Sequence, residues 1–181
     1  MSIFKDILAT LRGGTVVTAP AVVVTAEKAL LAAADYAAED VLDATATTGS
    51  PWRWNNVARK PDGFATITKA IALCSTTALT PGITVYLFNA PPTSAVLDNG
   101  ANTAVITADR YKYVGQIAFP AMADLGGNSE SIATPSTSGN LPLRVKTDPA
   151  GGLWGIVVTR DAITGEAAGM GLMISFLAEQ D

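Results

Sequence analysis

After the glycine pair Gly13-Gly14 the chain changes its hydrophobic period from helical to two, and a period of two restricts what it can fold into. Successive side chains point to opposite faces only in a β-strand, so short alternating runs bounded by clusters of Gly, Pro, Asn, Asp and Ser read as strands and turns. The pattern predicts strands over 21–25, 52–59, 64–74, 83–89, 104–108, 113–119, 141–147, 153–160 and 170–177. About nine short strands, with no helices alternating regularly between them, predict an all-β fold, an antiparallel β-sandwich or jelly roll.

Individual runs carry more detail. Ile67, Ile71 and Leu73 fall on one face of their run and Thr66 and Thr68 on the other, which predicts a half-buried strand. The runs 83–88, 153–158 and 170–177 are apolar on both faces, as central strands or strands covered by a partner would be. In 141–147, Leu141, Leu143 and Val145 alternate with Arg144 and Lys146, and Pro142 cannot donate to a ladder. That strand belongs at a rim, where outward charges guard an edge or meet an acidic neighbour. The segment 25–42 is rich in Ala and Leu behind Thr25, and propensity favours a helix there.

Residues 1–14 differ from the rest. Ser2 can cap a short helix with Ile3, Phe4, Ile7, Leu8 and Leu11 at helical spacing, and Gly13-Gly14 stops it. A helix this short needs something to dock against. Two readings stand: it packs on its own body, or it is an arm that reaches a neighbouring subunit through Phe4, Ile7, Leu8 and Leu11. Residues 15–181 are long enough to form a single domain with a full core.

The chemistry available is narrow. The sequence has no histidine and one cysteine, Cys74, which closes the commonest routes to zinc binding and activated nucleophiles. Binding or structure is the better expectation than catalysis, with no cofactor and no metal. Charged residues make up 15% of the chain against 49% hydrophobic, so part of the surface is expected to be hidden against something else. The net charge of −4 and scattered cations lack the basic footprint of a nucleic-acid binder; Arg53, Arg59 and Lys60 read as solvated loop charges. No run of 18 apolar residues suggests a membrane span, and Asp6 spoils a signal peptide, so synthesis in the cytosol is expected.

Asp98-Asn99-Gly100-Ala101-Asn102 offers oxygen ligands around a glycine, but without a later bidentate glutamate it reads as a turn rather than a calcium loop. Glu39-Asp40 and Asp43 have the residue types for a glycosidase acid pair, but their spacing does not bring them together across a cleft. Trp52 and Trp54, two apart, share a side of their strand as a core anchor, a sugar-stacking platform or an intersubunit contact. The segment 120–140 is long and polar, and is expected to be a contact loop.

Tyr36-Ala-Ala-Glu-Asp-Val-Leu42, Trp52-Arg-Trp-Asn-Asn-Val-Ala-Arg59, and Val85-Tyr-Leu-Phe88 followed by Asn89-Ala-Pro-Pro92 together carry a resemblance. Val114-Gly-Gln-Ile117, Leu153-Trp-Gly-Ile-Val-Val-Thr-Arg160 and the closing Leu177-Ala-Glu-Gln-Asp181 extend it to roughly residues 36–181. The pattern resembles a family of small β-rich virion proteins of tailed bacteriophages, encoded beside the major capsid gene. The resemblance implies a capsid decoration, or cement, protein on the outer surface of the head, a structural protein with no catalytic residues. Its implied partners are the major capsid protein and itself, with a homotrimer favoured because decoration proteins commonly sit at threefold positions. It also implies that 36–42 is a turn leading into a strand, although the family tends to have glycine where this chain has Glu39. A carbohydrate-binding or host-adhesion module of a phage tail is the chief rival reading.

Overall fold

A computed structural model describes residues 20–30, 35–135, 140–164 and 170–181. Among them ten strands form: β1 (Ala21–Ala29), β2 (Trp52–Trp54), β3 (Phe64–Cys74), β4 (Ile83–Phe88), β5 (Tyr113–Phe119), β6 (Ala123–Asp124), β7 (Ser129–Ala133), β8 (Leu143–Lys146), β9 (Leu153–Thr159) and β10 (Gly171–Gln180). The fold is all-β and every strand pairing is antiparallel. A six-stranded sheet runs β1-β10-β3-β7-β6, with β8 also on β3, and a four-stranded sheet runs β2-β9-β4-β5. The pairings nest: β1 with β10, β2 with β9, β3 with β7 and β8, β4 with β5.

The structure departs from the alternation pattern in particular places. The Ala-rich stretch expected to be helical begins as β1, because Ala21 to Ala29 pair residue by residue with Glu179 to Gly171. Tyr36 to Val41 then forms a turn with isolated bridges, Tyr36 to Ile163, Asp40 to Ala101 and Val41 to Val158, and no strand follows it before β2. Glu39 sits there at φ 71°, the left-handed region that glycine adopts without steric penalty. The strand expected over 104–108 is absent; Thr107–Asp109 is a 3-10 turn instead. The expected contact loop 120–140 contains β6 and β7, which extend the six-stranded sheet beyond β3. Residues 1–14, with Phe4, Ile7, Leu8 and Leu11, lie outside the described residues.

One core joins the inner faces of both sheets. Val24, Ala70, Ala72, Leu172, Ile174 and Phe176 from the six-stranded sheet share a cluster with Trp52, Trp54, Val85, Leu87, Ile117 and Leu153 from the four-stranded one. A bulge decides which part of β3 faces inward: Lys69 pairs with Leu177 and Ile67 with the next residue, Ala178, so Thr68 is the unpaired extra. Ala65 and Ile67 point inward before it, and Ala70, Ala72 and Cys74 after it. Ile71 and Leu73 therefore lie on the outer face, opposite Ile67, which corrects the uniform alternation expected for this strand.

The strands that are apolar on both faces have two explanations. On the outer side of the four-stranded sheet, Val41, Phe88, Ile156 and Val158 form a second cluster, packed under Val96, Ala104 and Val105 of the 89–112 connection. So β4 and β9 are covered by their own chain. β10 is central, between β1 and β3, and its outward residues Met173 and Leu177 remain only half-buried.

Candidate functional site

Trp52 and Trp54 do not form a surface platform. Both are essentially inaccessible, stacked at 6.0 Å between ring centroids with 16° between planes. Trp54 also packs on Phe176 of the opposite sheet at 4.6 Å. Their indole N–H groups are satisfied internally, Trp52 donating to the Leu42 carbonyl at 2.8 Å and Trp54 to the Ile174 carbonyl at 2.9 Å. Gly155 makes room for this arrangement: a Cβ there would lie 2.5 Å from Cζ3 of Trp54. As contact residues both tryptophans are therefore corrected to core residues, since a ring with no exposed area cannot stack on a ligand.

Arg144 and Lys146 stand where the alternation placed them, pointing outward from β8 while Val145 is buried. Among the described residues β8 pairs only with β3, so this strand lies at a rim. Arg144 pairs with Asp181 and its guanidinium lies 5.1 Å from the Phe64 ring, while Lys146 is 3.7 Å from Asp62. These are exposed contacts of the protein's own surface, and they leave the cations accessible.

The carboxylates considered for catalysis or metal binding hold loops. Asp98 turns inward, accepting from the Tyr36 hydroxyl at 2.9 Å and the Asp43 amide at 2.8 Å, while Asn99 adopts φ 55° and Gly100 closes the turn onto Leu97. Burial raises the Asp98 carboxyl above its ordinary value and outweighs the hydrogen bonds from Asp43 and Tyr36, and the nearby Asp43 charge adds to the rise. Asp43 accepts from the Ser50 amide and pairs with Lys28, whose ammonium also lies 5.5 Å from the Trp52 ring. Asp40 accepts from the Ala37 amide at 2.7 Å, and Glu39 pairs with Arg160 at 2.7 Å on the surface. Glu39, Asp40 and Asp43 thus each have a separate partner. Among the described residues, no group of three or more His, Cys, Asp or Glu side chains is placed to hold a metal ion.

Two acidic residues missed in the sequence do similar work. Asp109, fully buried, accepts from the amides and hydroxyls of both Thr93 and Ser94 at 2.7–2.9 Å and from Lys112 at 3.0 Å. Burial alone would raise its carboxyl, but these donors outweigh it and hold it well below the usual carboxylate range. Asp148 accepts from the amides of Ala150 and Gly152, both at 2.9 Å, and from the Trp154 indole at 3.0 Å, with the Arg53 guanidinium 2.7 Å away. Burial is again outweighed, here by Arg53 and the two amides, and its carboxyl is lowered. Asp148-Pro149-Ala150-Gly151-Gly152 is a turn signature visible in the sequence. Asp109 has no comparable signal, because its partners lie in a distant part of the connection.

The remaining exposed apolar residues include Tyr111, 82% exposed beside Arg110, and Val23 on β1, 65% exposed. Among the described residues no helix is long and apolar enough to cross a membrane. Compared with known proteins, the sequence matches no family model and has no significant match among curated proteins.

Proposed function

We propose that this chain is a structural virion protein of a tailed bacteriophage, which decorates the outer surface of the capsid and stabilises it by bridging neighbouring capsomers. The observation that carries the reading is the use of the buried acids: Asp98, Asp109 and Asp148 are all engaged by the chain's own amides, hydroxyls and rings. Asp98 joins the 89–112 connection to the segment 36–43, Asp109 closes the 89–112 connection on itself, and Asp148 ties its turn to Trp154 of β9 and Arg53 of β2, which together stiffen the body as a clamp between capsomers requires. The resemblance over roughly residues 36–181 supplies the virion context.

The nested strand order supports reading the two sheets as a sandwich of jelly-roll type, an architecture found in viral capsid proteins and lectins alike. Fold alone does not decide between those uses. The adhesin reading relied on Trp52 and Trp54 as a platform, and both are buried. In the proposed role the partners are the major capsid protein and sister copies in a homotrimer, the protein is made in the host cytoplasm, and its place is the outside of the head. A low-charge surface suits burial against such neighbours.

The test is addition of purified protein to expanded heads assembled without it. Co-sedimentation with the heads, a higher temperature of shell rupture and density on the outer surface in a reconstruction are the expected results. Failure to bind heads, or density only on the tail, overturns the reading.

A further inference from the structure

The outer face of the six-stranded sheet carries an apolar patch that nothing among the described residues explains. The register aligns Val23 with Leu177 and Lys69, Thr25 with Ser175, Ile71 and Ile132, and Glu27 with Met173, Leu73 and Glu130. Val23, Leu177, Ile71, Ile132, Met173 and Leu73 therefore form a continuous diagonal band, and Lys69, Glu27 and Glu130 stand at its margins. Val23 is 65% exposed, and the other five are half-buried. A depression of about 170 Å³ opens between Val23, Lys69, Ile71 and Leu177. The other sheet has its outer apolar residues covered by the 89–112 connection. Here the band is a product of the Thr68 bulge, which turns Ile71 and Leu73 outward.

We propose that this band is the docking face for residues 2–12 of the same chain. Residues 1–19 enter the fold at Pro20, directly before β1, the edge strand that contributes Val23 to the band. Ile71 lies level with Thr25 and two strands in from β1, which places it roughly 20 Å from Pro20 at ordinary strand rise and spacing. The stretch 13–19 spans up to roughly 25 Å when extended, enough to bring the preceding segment back over the sheet. As a helix, residues 2–12 would be about 16 Å long, close to the roughly 14 Å from β1 to β7. The segment's apolar positions Ile3, Phe4, Ile7, Leu8 and Leu11 form a single stripe at helical spacing, the shape that a flat apolar band accommodates. Tethering favours the chain's own segment over a sister copy's, because a short linker holds it at a high effective concentration. This inference is independent of the virion role.

A nitroxide attached at Ser2→Cys, with Cys74→Ala, tests it by relaxation of methyl signals from Ile71, Ile132 and Met173. Broadening by the label on the same chain is expected, and it must persist when labelled chains are diluted into unlabelled ones. Deleting residues 1–12 is expected to raise binding of an apolar dye several-fold while the near-ultraviolet dichroism of the Trp52 and Trp54 core is kept. Methyl signals untouched by the label overturn the proposal, as does broadening only between different chains, which would assign the band to a sister copy's segment. If the truncated chain fails to fold, the relaxation measurement on the full chain decides alone.

Discussion

The indole N–H of Trp54, on the four-stranded sheet, donates to the carbonyl oxygen of Ile174, on the six-stranded one, across the core at 2.9 Å. It is a directional polar tie between the two sheets, and it fixes them relative to each other as packing alone does not. Trp54→Phe keeps much of the ring and removes the donor; it is expected to lower stability by about 1–3 kcal/mol, from the lost hydrogen bond and the part of the ring's packing that goes with it. Trp54→Ala is expected to cost about 3–5 kcal/mol. Urea unfolding followed by tryptophan fluorescence distinguishes the two.

Gly155→Ala puts a methyl group where Trp54 already stands, 2.5 Å from its ring. The expected loss is about 1–3 kcal/mol, as for other overpacked cores. Combining it with Trp54→Phe is expected to cost less than the sum of the single changes, because the smaller ring frees the space, and a double-mutant cycle reads that coupling directly.

Acid affects the loop ties in two opposite ways. The carboxyls of Asp109 and Asp148 are lowered in the fold, so their contribution is complete above the ordinary carboxylate range of about 4 and is lost as pH falls through that range toward their folded values. Asp98 is raised, so its ionisation opposes the fold, and its contribution is greatest when it is protonated and is lost as pH rises through its folded value. Asp109→Ala is expected to cost about 3 kcal/mol at neutral pH, because the buried amide and hydroxyl of Ser94, with those of Thr93 beside it, lose a charged acceptor. It should also flatten the acid limb of a stability-against-pH curve. Asp98→Asn should remove the opposing component, so that stability falls less between mildly acidic and neutral pH; calorimetry across that interval checks the slopes.

Arg144→Ala and Lys146→Ala are each expected to change stability by less than about 1 kcal/mol, since their ion pairs are exposed. The double reversal Arg144→Glu with Lys146→Glu is expected to leave the melting temperature nearly unchanged and to weaken co-sedimentation with heads if this rim meets an acidic capsid surface. Unchanged co-sedimentation would remove the rim from the contact area.

Strands that alternate and find partners were legible in the sequence: β3, β4, β5 and β9 fall within a residue or so of the expected limits. β7 was not, because its inward residues are Ser129, Ser131 and Ala133, and the two hydroxyls enter the interior by donating to the carbonyls of Thr76 and Pro120. Segment 104–108 has strand composition and no neighbouring strand, whereas 21–29 has helical neighbours in composition but a full-length partner in β10. Pairing overrode propensity in both. The Thr68 bulge leaves no mark in a single sequence, so the faces of Ile71 and Leu73 could not be read. For the candidate site, Arg144 and Lys146 were legible because charge alternates with Leu143 and Val145; for Trp52 and Trp54 the shared face was legible and the core reading among its alternatives holds, whereas spacing alone did not say which way that face points.

β10 lies between β1 and β3, although it follows both by most of the chain's length. During synthesis, β1 has no ladder partner among the described strands until β10 has left the ribosome, and the edge of β3 that β10 will occupy stays open until the same moment. The β1-β10-β3 part of the six-stranded sheet can therefore close only after β10 has been made. Chains with such distant pairings fold slowly and expose strand edges while they wait. A nascent chain stalled before Gly171 should be the form most dependent on chaperones and most easily cut by proteases.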